Sequence, residues 1–260
     1  MTPQVLRAML AGCRLQYAES RRQPAHLMAL ATTPLFTAMF LSITLRAGDR
    51  QAVVYAVIAP GLINLWFLSL DLGGESVSRE RWQGTLELLF ATPASLAAVV
   101  FGRVLAVAGL AGLTFLEALL VARVGFGVSL EIRHGGLLAA AVAVTLFAMA
   151  GTSTAFAGLL VLSREVLVFQ NSLTYPFYIL GGVLVPLSLL PGWIQPFGRL
   201  VFLSWSSDLI RDAIDRRAVP GWPWRLTVIA LLGLATLAAG QAVIRRVADR
   251  ARRTGSVGLA

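Results

Sequence analysis

Long apolar runs separated by short charged segments dominate the pattern of hydrophobic and polar positions along this chain. A helix needs roughly 20 consecutive apolar residues to cross a bilayer core about 30 Å thick. The runs of suitable length predict six spans, at residues 25–45, 52–72, 96–121, 137–162, 166–185 and 224–244. We therefore expect an all-α integral membrane protein, with a single transmembrane domain over residues 1–260.

Three further patterns refine this prediction. In residues 3–23 the apolar positions recur at helical spacing and arginines recur every seven residues on another face, which predicts an amphipathic helix in the headgroup plane. Residues 186–219 are apolar but broken by prolines, which predicts external re-entrant helices, with an ordinary external loop as the alternative. Ala150, Thr154 and Gly158 form a small-residue stripe that predicts close approach of another helix.

Composition supports a membrane protein and excludes other classes. Hydrophobic residues make up 57% of the chain and charged residues 13%, against about a quarter charged in an average soluble domain. The chain has no lysine, which the P-loop requires, so we expect neither a nucleotide site of that kind nor an enzyme. One cysteine and two separated histidines predict no metal site. The net charge is +9, and the arginines that produce it lie between and beside the spans, which argues against nucleic-acid binding.

The arginines also predict orientation. If the N-terminus is cytoplasmic, that side carries more arginines than the other, as the positive-inside rule favours. Both termini are then cytoplasmic, and so is the segment 73–95 between the second and third spans. On the opposite side, acidic and basic residues alternate in a predicted self-neutralised helix: Asp208, Arg211, Asp212, Asp215, Arg216 and Arg217.

Segment 73–95 contains the most distinctive polar pattern. A Gly84-Thr85 break follows a charged stretch, and a short apolar run then ends at Pro93. Thr85 suits a helix N-cap, and the residue before a proline avoids helical backbone angles. The pattern predicts a short capped helix that either docks on a soluble partner or rests on lipid as an amphipathic connector.

Two stretches resemble a known family. Residues 80–93, Glu-Arg-Trp-Gln-Gly-Thr-Leu-Glu-Leu-Leu-Phe-Ala-Thr-Pro, resemble the E-R-x-x-G-T-L-E-x-L-x-x-T-P signature of type-2 ABC exporter permeases. Residues 190–193, 203–205 and 208–211 are similar to that family's L-P…P-L-[ST]-[YW]…D-x-[LI]-R run, with Phe202 where the family usually has proline. In order, spacing and span count the resemblance covers nearly the whole chain.

The resemblance implies the permease subunit of an ATP-driven exporter of amphiphilic cargo, drug-like, antibiotic-like or lipid-linked, out of the cytoplasm or inner leaflet. It implies a permease pair, homodimeric or with a sister permease, over two ABC ATP-binding subunits that hold the ATP and Mg, in lipid of a bacterial inner membrane. The chain itself would hold no cofactor. The residues implied to form the coupling helix on the ATPase and its charged approach are Glu80, Arg81, Gly84, Thr85, Leu86, Glu87, Leu88, Leu89, Thr92 and Pro93.

Polar and aromatic residues of the first, second and fifth spans are candidates for a substrate path. They are Asn64, Gln170, Asn171, Tyr175, Phe177 and Tyr178. Each has an alternative role, because amides bond between membrane helices and aromatic residues gather at membrane interfaces.

Charged residues within the spans need partners or water, because charges in a bilayer are costly. We predict a structural ion pair between Asp71 and Arg103, or from Arg103 to Glu75. Glu117 lies near the outer end of the third span, where it faces an external vestibule or snorkels to the interface. An ion-coupled carrier or a non-transporting scaffold remains open as an alternative function. A membrane-embedded enzyme is disfavoured, because the acidic residues are scattered.

Overall fold

The computed structural model describes residues 3–22, 24–48, 50–82, 96–162 and 166–254. The α-helices within these ranges are α1 (Pro3–Arg22), α2 (Pro24–Ala47), α3 (Arg50–Trp82), α4 (Leu96–Leu120), α5 (Gly135–Leu162), α6 (Val166–Leu180), α7 (Gln195–Arg199), α8 (Phe202–Asp215) and α9 (Trp222–Thr254). A π-helical turn, Val121–Gly125, continues α4, and a 3-10 turn, Leu187–Leu189, precedes α7. These ranges contain no strand, which confirms the all-α prediction.

Four segments of the described chain are long and apolar enough to cross a membrane. They are Ala52–Leu70 in α3, Phe101–Gly125 in α4 and its π turn, Gly135–Leu159 in α5, and Trp222–Arg246 in α9. The predicted first and fifth spans correspond to α2 and α6, which are not among these four. The six-span count therefore stays a prediction.

Two helices end away from the predicted span boundaries. The helix α3 continues past residue 72 to Trp82, through two consecutive glycines, so it extends into the segment predicted to be polar. The helix α6 ends at Leu180, and residues 181–185 form turns and bends. Both differences lie at glycine pairs, where hydropathy alone gives no signal for the end of a helix.

The central helix is α3, which packs against α2, α4, α5 and α8. Its side chains Leu62, Leu65 and Trp66 have no exposed surface. A membrane helix that is apolar on all sides can be surrounded by protein as readily as by lipid, and α3 takes that position.

Among the described residues, the helix pair with the most extensive contact is α5 with α9. A methyl group on Gly151 would overlap the carbonyl oxygen of Gly233. Two turns further along α5, one on Gly158 would lie 3.2 Å from the carbonyl oxygen of Gly240, and one on Gly240 would overlap the backbone of Ala155. The stripe of small residues on α5 was predicted to admit another helix, and α9 is that helix. Without side chains between them the two backbones approach closely, which is how membrane helices gain packing contacts in the absence of a hydrophobic driving force.

Residues 186–219 fold onto one end of the bundle. Ten of the side chains of α8 are buried, and the helix packs against α3, α5 and α9. Such burial is unlike an ordinary external loop. The depth of residues 186–219 in a bilayer, and hence their re-entrant arrangement, stays a prediction.

Candidate functional site

The residues predicted to dock on an ATPase fall mostly outside the described chain. Residues 84–93 lie between α3 and α4 in the part that the structure leaves undescribed. Glu80 and Arg81 belong to the last turn of α3, and their side chains are also outside the described set. The described elements that flank this segment are the end of α3 and the beginning of α4. The packing of α4 therefore shows which part of the protein lies next to the segment.

The amphipathic helix α1 packs directly on the first turns of α4. A methyl group on Gly12 would overlap the backbone of Val99, and one on Gly102 would overlap the backbone of Met9. The thiol of Cys13 donates a hydrogen bond to the carbonyl oxygen of Gly102 at 2.9 Å. Burial raises the pKa of this thiol, so it stays protonated and able to donate. The two helices therefore meet through backbone contact.

Beside this contact, Arg103 binds two polar groups of α1. Its Nε donates to Oε1 of Gln16 at 3.1 Å, and its Nη2 lies 2.6 Å from Oε2 of Glu19. Arg103 is 5% exposed, so the pair satisfies a charge that is almost completely removed from solvent. We call Gln16, Glu19 and Arg103 the inner clamp, after the side of the membrane that the arginine distribution predicts for α1.

The inner clamp gives Arg103 a partner that the sequence analysis did not identify. Asp71 and Glu75 lie in α3 with side chains outside the described set, so their predicted pairing with Arg103 stays a prediction. One feature of the sequence does point to this partner: Glu19 is the single acidic residue in the whole amphipathic segment 3–23. A lone carboxylate on an otherwise basic helix is a natural partner for a buried arginine in a neighbouring helix.

The residues proposed for a substrate path occupy different environments. Asn64 is buried, donates to Oγ1 of Thr33 at 2.7 Å and accepts from Oγ1 of Thr32 at 3.1 Å, so it bonds α3 to α2. Tyr175 is 71% exposed on the outside of α6. Gln170 and Asn171 also lie in α6, with side chains that are not described.

Phe177 and Tyr178 join an aromatic cluster around Trp66. The ring centroids of Phe177 and Trp66 are 4.5 Å apart in a stacked arrangement, and Phe156 meets both rings edge-on. The hydroxyl of Tyr178 donates to the carbonyl oxygen of Ile63 at 3.2 Å. The structure thus brings Phe177 and Tyr178 to the same stretch of α3 as Asn64, where all three make contacts between helices.

A cleft of about 580 Å³ lies between α2, α3 and the turn that follows α6. It is within the usual volume range of ligand pockets, roughly 300–1,000 Å³. The walls are mainly apolar, with hydroxyl groups from Thr44, Tyr55 and Ser188; the other lining residues are Phe40, Ile43, Ala52, Ala56, Ala59, Leu184, Val185, Pro186 and Leu189. We call this the outer cleft. The four proposed path residues with described side chains do not line it.

One wall of the outer cleft is supported by a buried arginine of α8. The guanidinium of Arg211 donates to the carbonyl oxygens of Gly182 at 2.7 Å and Val183 at 2.8 Å, beyond the end of α6. Its Cζ also lies 3.8 Å from the centroid of the Tyr55 ring, on α3. Burial lowers the pKa of Arg211 to about 10, which leaves it charged at neutral pH. We call these contacts the outer latch.

The neighbouring charges of α8 are only partly neutralised within that helix. Asp212 binds Arg216 at 2.8 Å, as the alternating pattern predicted, but it also binds Arg225 of α9 at 2.7 Å. Asp208 binds Arg199 of α7 at 3.0 Å. The prediction of a self-neutralised helix is therefore wrong in part, because two of the three ion pairs join α8 to its neighbours and Arg211 bonds to backbone.

Comparison with known proteins gives one clear match. A family model described as ABC-2 type transporter matches residues 6–214 of the 260. This range includes the inner clamp, the outer cleft and the outer latch. No curated protein matches the chain significantly.

Proposed function

Because this chain belongs to the ABC-2 type transporter family, we propose that it is the permease subunit of an ATP-driven exporter. Domains of this family are the transmembrane components of ABC transporters and work with an ABC ATP-binding partner, so the chain is a multi-pass membrane permease. Export as the direction, an amphiphilic cargo, a paired permease and two ATPase subunits belong to the proposal.

The observation that best supports a transport path is the position of the outer cleft. It is bounded by α2 and α3, which correspond to the first and second spans assigned to the path, and by residues 184–189, which begin at the end of the predicted fifth span. The predominantly apolar walls with three hydroxyl groups suit a molecule that has one apolar and one polar end. We propose that the cleft is the outer part of the path.

Filling the outer cleft tests this assignment. Ile43 lines the cleft and is 59% exposed, so Ile43→Trp adds volume there without displacing the core. The matched control is Leu231→Trp on α9, which changes a residue of similar exposure (56%) that does not line the cleft. We expect Ile43→Trp to lower ATP-dependent efflux of fluorescent amphiphiles from cells or vesicles severalfold, with Leu231→Trp near wild type. Equal efflux by both variants would contradict the assignment.

One observation keeps the ion-coupled carrier as a second candidate. Oε2 of Glu117 is buried and has no hydrogen-bond partner among the described residues, and an unpaired intramembrane carboxyl is a common element of ion coupling. Glu117→Gln separates the two functions. A carrier would lose dependence on a proton or sodium gradient, whereas the exporter that we propose keeps its ATP dependence.

A further inference from the structure

We propose that a second groove, on the other side of α3 from the outer cleft, binds one acyl chain of an anionic phospholipid whose phosphate is held by Arg133 and Arg217. The groove has a volume of about 490 Å³ and lies between α4 and α5, with α3 and α8 at its base. We call it the lipid groove. The proposal requires only that the chain is embedded in a membrane, and not that it exports cargo.

The walls of the lipid groove are apolar throughout. The side facing α4 is formed by residues such as Leu116 and Leu119, and the side facing α5 by Leu138 and Val142. No residue along its lining carries a charge or a side-chain hydrogen-bonding group. A pocket without a polar contact cannot orient a polar cargo, but it suits a hydrocarbon chain.

The groove exists because α4 and α5 touch at one level and then separate. At the inner end, a methyl group on Gly112 would come within 3.2 Å of Leu146 Cδ1, so the helices are in contact there. Further out, α5 presents Ala139 and Ala143, whose side chains are too small to fill the gap. Leu116 on α4 is 64% exposed at the edge of the opening.

The length of the groove matches one leaflet. It extends along α5 from Leu146 to Gly135, a distance of about 16 Å at 1.5 Å per residue. One half of a bilayer hydrocarbon core is about 15 Å deep. A lipid tail that enters beside Gly135 would therefore reach the contact between Gly112 and Leu146 near the midplane.

Cationic residues lie at the open end, where the head group of such a lipid would sit. Arg133 is adjacent to Ile132, which lines the groove, and its ion pair with Glu131 is long, at 3.9 Å, and exposed to solvent. Arg217 is exposed and has no ion pair among the residues that the structure describes. By contrast, the neighbouring Arg216 is already bound to Asp212. An arginine without an ion pair, or with only a long and exposed one, can bind the oxygens of a phosphate instead.

Hydrogen bonds hold the two arginine-bearing segments together. The backbone nitrogen of His134 donates to the carbonyl oxygen of Ala213 at 3.1 Å, and His134 Nε2 lies 3.1 Å from the carbonyl oxygen of Arg217. The loop before α5 is therefore fixed to the end of α8. This arrangement keeps both arginine-bearing segments beside the mouth, where their charges would attract an anionic head group more than a zwitterionic one.

Photolabelling of the wild-type chain tests the site without requiring transport. The full chain, with any copurifying subunits, is placed in nanodiscs that contain phosphatidylglycerol with a diazirine in its acyl chain, and the labelled peptides are mapped by mass spectrometry. We expect labelling concentrated in residues 112–146 and competed by phosphatidylglycerol better than by phosphatidylcholine. Labelling spread evenly to the Leu231 and Leu234 face of α9 would indicate bulk lipid only. Absence of label because another protein covers the groove would also overturn the proposal.

Two variants separate the head-group and tail contributions. Arg133→Gln and Arg217→Gln should each weaken competition by phosphatidylglycerol roughly fivefold, because one basic residue near an anionic lipid contributes about that factor. The control is Arg245→Gln, which changes an exposed arginine near the C-terminal end of α9 and should leave competition by phosphatidylglycerol unchanged. Ala143→Phe should reduce labelling of the groove by either lipid. If labelling persists in a folded Ala143→Phe protein, the tail does not occupy this groove.

Discussion

Two buried arginines, at opposite ends of the helical bundle, solve the same physical problem in different ways. Arg103 in the inner clamp is 5% exposed and neutralised by a carboxylate of another helix, Glu19. Arg211 in the outer latch is 4% exposed and bonds to two backbone carbonyl oxygens and an aromatic ring. Both arrangements give a cation partners away from water, although Nε of Arg211 has none among the described residues, and only one depends on a second charged side chain.

This difference indicates what each end of the molecule is suited to. The acceptors of Arg211 are carbonyl groups beyond the end of α6, which cannot turn away without unfolding that turn. The acceptors of Arg103 are flexible side chains of α1, which can separate and re-form as helices slide. We therefore expect the outer latch to act mainly in stability, and the inner clamp to act in the transmission of movement between α1 and α4.

The largest effect is expected for the outer latch. Arg211→Met leaves the carbonyl oxygens of Gly182 and Val183 buried without donors, which should cost about 3–5 kcal/mol of stability. Thermal unfolding of the purified protein in detergent measures this loss. The control is Arg216→Gln, because the side chain of Arg216 is 60% exposed and its pair with Asp212 should contribute less than about 1 kcal/mol. Similar melting temperatures for both variants would show that the latch does not stabilise the fold.

A smaller loss is expected where α1 touches α4. Gly102→Ala places a methyl group against the backbone of Met9, and overpacking of this kind typically costs about 1–3 kcal/mol. Gly109→Ala, on the same helix, is a matched control because nothing lies within 4 Å of the added group. The unfolding temperature should fall for the first variant only. Equal unfolding temperatures of the two variants would show that α1 does not pack on α4 as described here.

The smallest stability effect is expected for the inner clamp. The side chain of Glu19 is 23% exposed, so water reaches the carboxylate although Arg103 is buried, and a double-mutant cycle of Arg103→Gln and Glu19→Gln should give a coupling energy of about 1 kcal/mol. In both single variants, coupled transport should be reduced more, relative to the wild type, than thermal stability is. Transport that remains at the wild-type level would assign the clamp a purely structural role.

Much of this fold was predictable from hydropathy, because bilayer-length apolar runs must be helical. The contact of α5 with a neighbour was also predictable, since Gly158 lies in a recognisable stripe of small residues. The partners of the two buried arginines were not. Arg103 bonds to Glu19 across 84 positions of sequence, and Arg211 bonds to backbone carbonyls, which no side-chain pattern can reveal.

The candidate site was predictable only at the level of elements. The first, second and fifth spans were assigned to the path, and the outer cleft lies between the first two of the corresponding helices and the turn beyond the third. The individual residues were harder to assign, because Asn64 and Tyr178 have the chemistry of path residues and yet bond between helices. Whether an intramembrane amide faces a cavity or a neighbouring helix depends on packing rather than on its type.

Our central proposal is that residues 84–93 couple this permease to a separate ATPase, and one double variant tests it most directly. Glu87→Ala with Leu88→Ala removes the predicted dipole-facing carboxylate and one apolar contact of the coupling helix. The measurement is ATPase activity and cargo efflux of the reconstituted complex, with membrane insertion and permease pairing as controls. We expect stimulated hydrolysis and efflux to be abolished while insertion and pairing persist. Normal coupled transport by the double variant would contradict the account.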